Sequence, residues 1–153
     1  MKFCSIVYNI KLHERVISMK VLKLDHVAIA VKNIEEASRF YKDLLGLEFD
    51  GEELIPENNV KIAFFKCGEL DVELVQSMHK GESSVDKFIE EKGEGLYHIA
   101  FEVDNLENTI KTLETKKMQF KKPYPLKGAR NTSIAFLEEY CTNGAMIEFL
   151  EKK

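Results

Sequence analysis

The same pattern occurs twice in this chain, and each copy carries a histidine and a glutamate at matching places. Residues 24–34 read LDHVAIAVKNI and residues 96–106 read LYHIAFEVDNL, an offset of 72. Five of these eleven positions are identical, and three more exchange one apolar residue for another. At the same offset Ile62-Ala63-Phe64 returns as Ile134-Ala135-Phe136, and near each module's end Asp71 to Val75 answers Met146 to Leu150. A duplicated fold unit must repeat the apolar positions that build its core. It has no such need to repeat a histidine and a glutamate inside apolar strands. That recurrence points to His26, Glu73, His98 and Glu148 converging on one divalent metal ion.

A chain of 153 residues makes one domain, or two small halves sharing a core. With 44% hydrophobic and 31% charged residues its balance is that of a globular protein. A net charge of −4 gives no reason to expect nucleic acid or an anionic membrane as partner. No apolar run approaches the roughly 20 residues that a bilayer-spanning helix needs. Cys4, Cys67 and Cys141 show no CxxC spacing and cannot all pair, which reads as free thiols in a reducing cytoplasm. Residues 1–19 form an extension outside the repeat. Asn9, Lys11, His13, Glu14 and Arg15 interrupt any apolar core there, so a signal peptide is not expected, and Met19 is a candidate start.

The order of elements reads β-α-β-β-β in each module. Val21 to Val31 alternates as a strand, with Leu22, Leu24, His26, Ala28 and Ala30 on one face and Val27, Ile29 and Val31 on the other. Asn33 can cap a helix, with Glu36 as capping-box partner, and Ile34, Ala37, Phe40, Tyr41, Leu44 and Leu45 continue it at helical spacing to Gly46. Strands follow at Leu47 to Phe49, Val60 to Lys66 and Leu70 to Gln76, the last two joined by a turn at Cys67-Gly68-Glu69. A linking helix spans residues 83–92, capped by Ser83 or Ser84 and ended by Gly93. The second module has a strand from Tyr97 to Val103 and a helix from Asn105 to about Lys117. Strands near Met118 to Lys121, Ser133 to Leu137 and Ala145 to Leu150 follow, with a Pro123-Tyr124-Pro125 loop after the first of these. Module one thus runs over 20–79 and module two over 95–151.

Each candidate ligand sits mid-strand. The small Ala28, Ala30 and Ala100 leave room beside the imidazoles. Glu73 lies between Val72 and Leu74, and Glu148 between Ile147 and Phe149, where an ionised carboxylate must be paired, hydrogen-bonded or metal-bound. Two imidazoles and two carboxylates suit Co²⁺, Ni²⁺, Zn²⁺ or Mn²⁺ with an open coordination position, at which the ion can act as a Lewis acid. His13 and His79 have no repeat partner and read as surface residues. Lys116-Lys117 and Lys121-Lys122 form a basic cluster, either a solvated helix end or an attraction for phosphate.

At these residues the chain resembles the vicinal oxygen chelate superfamily, which includes glyoxalase I, methylmalonyl-CoA epimerase, extradiol dioxygenases and antibiotic-resistance proteins. The resemblance covers roughly residues 20–151. It implies an α+β fold in which two tandem βαβββ modules form a partly open barrel around a metal, with His26, Glu73, His98 and Glu148 at the ligand positions. The segment Ser83 to Leu96, the Phe101-Glu102-Val103-Asp104-Asn105 run and the closing Ile147-Glu148-Phe149-Leu150 are most similar to methylmalonyl-CoA epimerase. Three places depart from that pattern. Tyr97 stands where the epimerases usually carry the first of two adjacent histidines. Glu138-Glu139-Tyr140-Cys141 replaces a His-Pro-Lys turn, and Gly128-Ala129-Arg130-Asn131-Thr132 replaces a double-glycine loop. Ile62 takes the place of a further glutamate that acts as base in some epimerases.

The reaction this resemblance implies is proton transfer alpha to a thioester carbonyl, with Glu148 as first base and Glu73 either serving the opposite face or acting as a purely structural ligand. The substrate would be an acyl-CoA and the assembly a homodimer. A glyoxalase I-like lyase acting on a thiol adduct uses the same ligands and is the competing enzyme reading; a non-catalytic binding protein on the same fold is the third.

Overall fold

The computed structural model describes residues 19–153. The expectations for Cys4, His13 and the rest of residues 1–18 lie outside the described residues. The first module comprises β1 (Val21–Ala30), α1 (Ile34–Arg39), β2 (Glu48–Ile55), β3 (Val60–Cys67) and β4 (Leu70–Ser77). Helix α2 (Ser84–Lys92) follows. The second module comprises β5 (Gly95–Val103), α3 (Leu106–Thr115), β6 (Leu126–Lys127), β7 (Thr132–Phe136) and β8 (Ile147–Lys152). All eight strands join one curled sheet in the order β2-β3-β4-β1-β5-β8-β7-β6. The order is the same read outward from either side of the β1–β5 junction. That junction is antiparallel, whereas β1–β4 and β5–β8 are parallel. The fold is therefore the mixed α+β half-barrel that the family resemblance implied.

Capping chemistry starts each helix where the sequence placed it. The Asn33 and Asn105 side chains accept from the backbone N–H of Glu36 and Asn108, and Ser83 with Asp86 forms a complete capping box on α2. Helices α1 and α3 cover the convex face. Ile34 of α1 packs in one cluster with Val31, Phe65 and Leu74, and Leu106 and Ile110 of α3 pack in another with Val103 and Phe149. Burying one such Leu, Ile or Phe side chain contributes about 1.5–3 kcal/mol. The concave face is lined by Ala28, Ala30, Ile62, Phe64, Val75 and Tyr97, with Val85 of α2 closing one end.

Local structure departs from the sequence reading in four places. The helical run expected through Leu45 is α-helical only to Arg39 and continues as a π-helical turn over Phe40–Leu44. Phe40, Leu44 and Leu45 are all exposed. The short strand expected at Leu47 to Phe49 extends to Ile55, because pairing with β3 carries it past a register shift between Phe49 and Glu52. The expected strand near Met118 to Lys121 reduces to a single bridge between Phe120 and Leu137, while the edge of the sheet is the short β6 beyond the prolines. Helix α3 stops at Thr115, and Lys117 takes a positive φ of 63°.

Register determines the site. His26 pairs with Ala100 and Ala28 with His98 across the β1–β5 junction. Ala28 also pairs with Glu73 on β4, and Ala100 with Glu148 on β8. Two rows result, Glu73–Ala28–His98 and His26–Ala100–Glu148, each with an alanine between the two polar side chains. Both alanines are fully buried. Adjacent side chains in such a row have Cβ atoms only about 4.5–5.5 Å apart, so a larger residue would take the space of the imidazole and the carboxylate. Ala100→Val is expected to lower the unfolding free energy by about 1–3 kcal/mol through overpacking, read from the urea midpoint at constant slope; an unchanged midpoint would show that the row has slack.

Candidate metal centre

The two rows place all four sequence-predicted residues on the wall of one cavity of about 470 Å³. His26, Glu73, His98 and Glu148 are each buried. The Nε2 atoms of His26 and His98 face one another at 3.1 Å. Glu148 presents one oxygen 3.2 Å from His98 Nε2 and the other 4.0 Å from His26 Nε2. Three donors, from β1, β5 and β8, thus lie within 4.8 Å of one another. Donors at about 2.0–2.2 Å from one ion stand about 3.0–3.5 Å apart, so the two shorter edges match a shared cation. The donor set, two imidazoles and a carboxylate, suits a borderline divalent ion. His26, His98 and Glu148 therefore form a cluster that could hold a metal ion. Glu73 lies to one side, its carboxylate 3.6 Å from Nδ1 of His26 rather than facing the three converging atoms.

Strand alternation alone would turn Asp25 and Tyr97 away from the histidines that follow them. The register between β1 and β5 shifts by one between Leu24 and His26, and again between Ala28 and Ile29 opposite Tyr97. Such a bulge leaves one residue unpaired and re-aims its side chain. Asp25 and Tyr97 consequently line the same cavity as His26 and His98. The simple two-face reading of β1 fails here, and Lys23 also lines the cavity while Leu22 is exposed. Asp25 Oδ2 lies 3.1 Å from His26 Nδ1, and its Oδ1 accepts from Lys152 at 2.7 Å. Tyr97 instead donates to Ser84 at 2.8 Å.

Sequence reasoning singled out the 128–132 segment but not what Arg130 does there. Its guanidinium reaches from the turn before β7 to Asp71 at 3.0 Å and Asp50 at 2.7 Å, with the Phe64 ring 3.9 Å below it. Arg130 thereby ties the second module's loop to the first module across the open side of the half-barrel. Gly128 makes that loop possible, because a Cβ there would stand 2.3 Å from Thr132 Oγ1 and 2.6 Å from an Ile134 methyl. No local signal identifies an arginine whose partners lie 59 and 80 residues away. His79 is exposed, as expected. Of the lysine cluster, Lys121 pairs with Glu139 at 3.0 Å, and none of the four lysines lines the cavity.

Burial and crowding set the protonation of the cluster. Burial alone would depress His26, but the carboxylates of Glu73, Asp25 and Glu148 outweigh it and raise the imidazole to about 9. Burial pushes Glu148 up to about 8, with the His26 charge opposing and Glu73 adding to the rise. Burial also raises Glu73, again opposed by His26. His98 is held well below the usual histidine value, first by burial and then by the positive His26. Without a cation His26 and Glu148 therefore keep their protons to higher pH than free side chains would.

The profile of the Glyoxalase/Bleomycin resistance protein/Dioxygenase superfamily matches residues 25–136. The chain is 38% identical over 131 residues to the uncharacterized protein YqjC of Bacillus subtilis, covering 86% of this chain and 93% of YqjC. It is 31% identical over 130 residues to the mitochondrial methylmalonyl-CoA epimerase of Mus musculus, covering 84% of this chain and 72% of that protein. Its fold superposes with a TM-score of 0.81 on a Streptomyces coelicolor methylmalonyl-CoA epimerase variant in complex with 2-nitronate-propionyl-CoA, at 24% identity and covering 87% and 99% of the two chains.

The protonation pattern sets the pH dependence of metal uptake. At neutral pH the metal-free cluster carries protons on His26 and Glu148, whose values stand near 9 and near 8. A cation must displace them, so apparent affinity rises with pH until those values are passed, by about tenfold per pH unit for each proton released. Calorimetric titration with Zn²⁺ or Co²⁺ in buffers of different ionisation enthalpy is expected to show proton release between about pH 6 and about pH 8. An affinity that stays flat across that interval would contradict it.

Proposed function

Because the chain belongs to the glyoxalase/bleomycin resistance protein/dioxygenase superfamily, we propose that it is a metal-dependent isomerase that moves the proton alpha to the carbonyl of an acyl-CoA thioester, in the manner of a methylmalonyl-CoA epimerase. The observation that carries this reading is the convergence of His26, His98 and Glu148 inside a cavity of about 470 Å³, in a chain whose relatives include methylmalonyl-CoA epimerases. A cavity of that size accommodates a small acyl group with part of its carrier. We take His26, Glu73, His98 and Glu148 together as the ligand set, with Glu73 reaching the ion by a side-chain rotation. When bound, the divalent ion supplies positive charge that stabilises the negative charge developing on the thioester oxygen.

Glu148 is the proposed base. It comes from β8 and stands 3.2 Å from His98 Nε2 on the cavity wall, where a carboxylate can reach a substrate held at the same place. Glu73, related to it by the repeat, comes from β4 on the other side of the histidine pair and would serve the opposite face of the alpha carbon. Ile62 lines the cavity with an apolar side chain and leaves Glu73 as the counterpart. Ile55, Val60, Ile134 and Leu150 contribute apolar side chains to the same wall.

With Co²⁺ present, the protein is expected to exchange the alpha proton of methylmalonyl-CoA for solvent deuterium, followed by mass spectrometry or NMR. Glu148→Gln is expected to slow this exchange by about a hundred- to ten-thousand-fold. Turnover of a methylglyoxal–thiol adduct without exchange would reassign the site to a lyase, and neither activity would favour a binding protein.

We further propose a homodimer working in the cytoplasm. Cys67 and Cys141 are free thiols, and among the described residues no helix is long and apolar enough to cross a membrane. The exposed Phe40, Leu44 and Leu45 offer an apolar surface for a second copy. Sedimentation is expected to give about twice the 17.6 kDa chain mass, and Leu44→Glu is expected to shift it toward the monomer. A monomeric parent chain would overturn this assembly.

A further inference from the structure

The two histidines of the site are related by the repeat, yet their second ring nitrogens are treated differently. His26 Nδ1 has the Asp25 carboxylate at 3.1 Å, within hydrogen-bond reach, while Glu73 at 3.6 Å is beyond it. Asp25 is itself held from behind. Its other oxygen accepts from Lys152 at 2.7 Å and stands 3.2 Å from the Lys23 ammonium. Lys152 is anchored in turn on Glu102 at 2.8 Å. The equivalent residue in the second module, Tyr97, turns its hydroxyl to Ser84 and presents only its ring to His98, with 5.2 Å between centroids. His98 Nδ1 is buried and has no hydrogen-bond partner among the described residues. That ring is held by packing between Tyr97 and Phe136.

We propose that Asp25 is a positioning residue: it accepts the Nδ1–H of His26, and so commits that ring's Nε2 lone pair to the metal position, while His98 is placed by packing alone. The proposal rests on the reading of His26 and His98 as metal ligands. An imidazole that ligates through one nitrogen is fixed in tautomer and orientation by what its other nitrogen donates to, and a carboxylate there also raises the basicity of the ligating nitrogen. The bulge at Asp25 is what makes this contact possible. In an unbroken strand the aspartate would point to the convex side, away from the ring that follows it. The two halves of the site therefore make unequal contributions. The first module supplies a histidine fixed by charge-assisted hydrogen bonding. The second supplies one fixed by shape.

The test is zinc and cobalt affinity, measured by competition with a chromophoric chelator, in Asp25→Ala, Asp25→Asn and Tyr97→Phe. Asp25→Ala is expected to lose about 10–100-fold in affinity. Asp25→Asn keeps an acceptor of the same shape and is expected to recover part of that loss. Tyr97→Phe is expected to stay within about threefold of the parent, because its hydroxyl serves Ser84 and not the ligand. Nitrogen-15 NMR of the zinc-loaded protein supplies a readout that a merely structural role would not move. His26 is expected to carry its proton on Nδ1 in the parent and to lose that signature in Asp25→Ala. Lys152 retains Glu102 when Asp25 is replaced, so the strand end stays anchored, and Asp25→Asn remains informative if the alanine variant fails to fold. Equal affinity in all variants, or an Nε2-protonated His26 in the zinc-loaded parent, overturns the positioning role. A parent protein that binds neither ion removes the underlying metal reading instead, and the two failures are thereby distinct.

Discussion

Everything in the site depends on the antiparallel pairing of β1 with β5. Pairing two copies of one strand antiparallel creates a local two-fold relation, and the register sets His26 opposite Ala100 and Ala28 opposite His98. A slip of one residue would turn one histidine to the convex face. The parallel partners β4 and β8 then bring Glu73 and Glu148 into the same rows, so one register places all four polar groups. Alanine at the crossing points is as much a part of the site as the four polar residues. It is the residue whose side chain lets an imidazole on one strand and a carboxylate on the next lean over it.

Electrostatics explain why this concentration of polar groups suits a cation. Two buried carboxylates and two imidazoles in an apolar shell cannot all hold their ordinary protonation states. The metal-free cluster responds by raising His26 and both glutamates and suppressing His98. A divalent ion there would replace those protons with its double positive charge and satisfy several donors at once. Around this centre the cations Lys23, Lys66, Arg130 and Lys152 are each matched with Asp25, Asp50, Asp71 or Glu102, so the rim is ordered by ion pairs. Pairs this exposed add little stability individually, but they fix where the loops stand.

The repeat made the fold and the ligand candidates legible, because duplication writes them twice. Strand alternation and caps at Asn33, Ser83 and Asn105 sufficed to place most elements. What escaped was set by non-local pairing or by breaks in periodicity. Residues 50–55 contain Gly51 and three acidic residues and have no strand signal of their own; β3 holds them extended. The apolar spacing after Phe40 is helical, yet a π turn redirects it to the surface. Arg130 carries no sequence mark of the aspartates it meets, since those partners lie in the other module. Asp25 stands where the second module has Tyr97, but its direction depends on a bulge that strict alternation cannot express.

The bulges connect the symmetric and asymmetric parts of the molecule. Both modules carry the register shift just before the histidine, so the backbone device repeats faithfully. The residue it turns inward differs, aspartate in one half and tyrosine in the other. A backbone device shared by both halves with unlike side chains separates two functions within one geometry. The shared part aims the position before each histidine into the cavity. The unshared part decides what is done there: Asp25 orders its neighbouring ring by charge, while Tyr97 ties the sheet to Ser84 of α2 and so connects the site wall to the helix that closes the cavity. Symmetry thus brings the polar groups together, and its breaking at this one pair of positions gives one histidine a charged partner and leaves the other to the packing of the cavity wall.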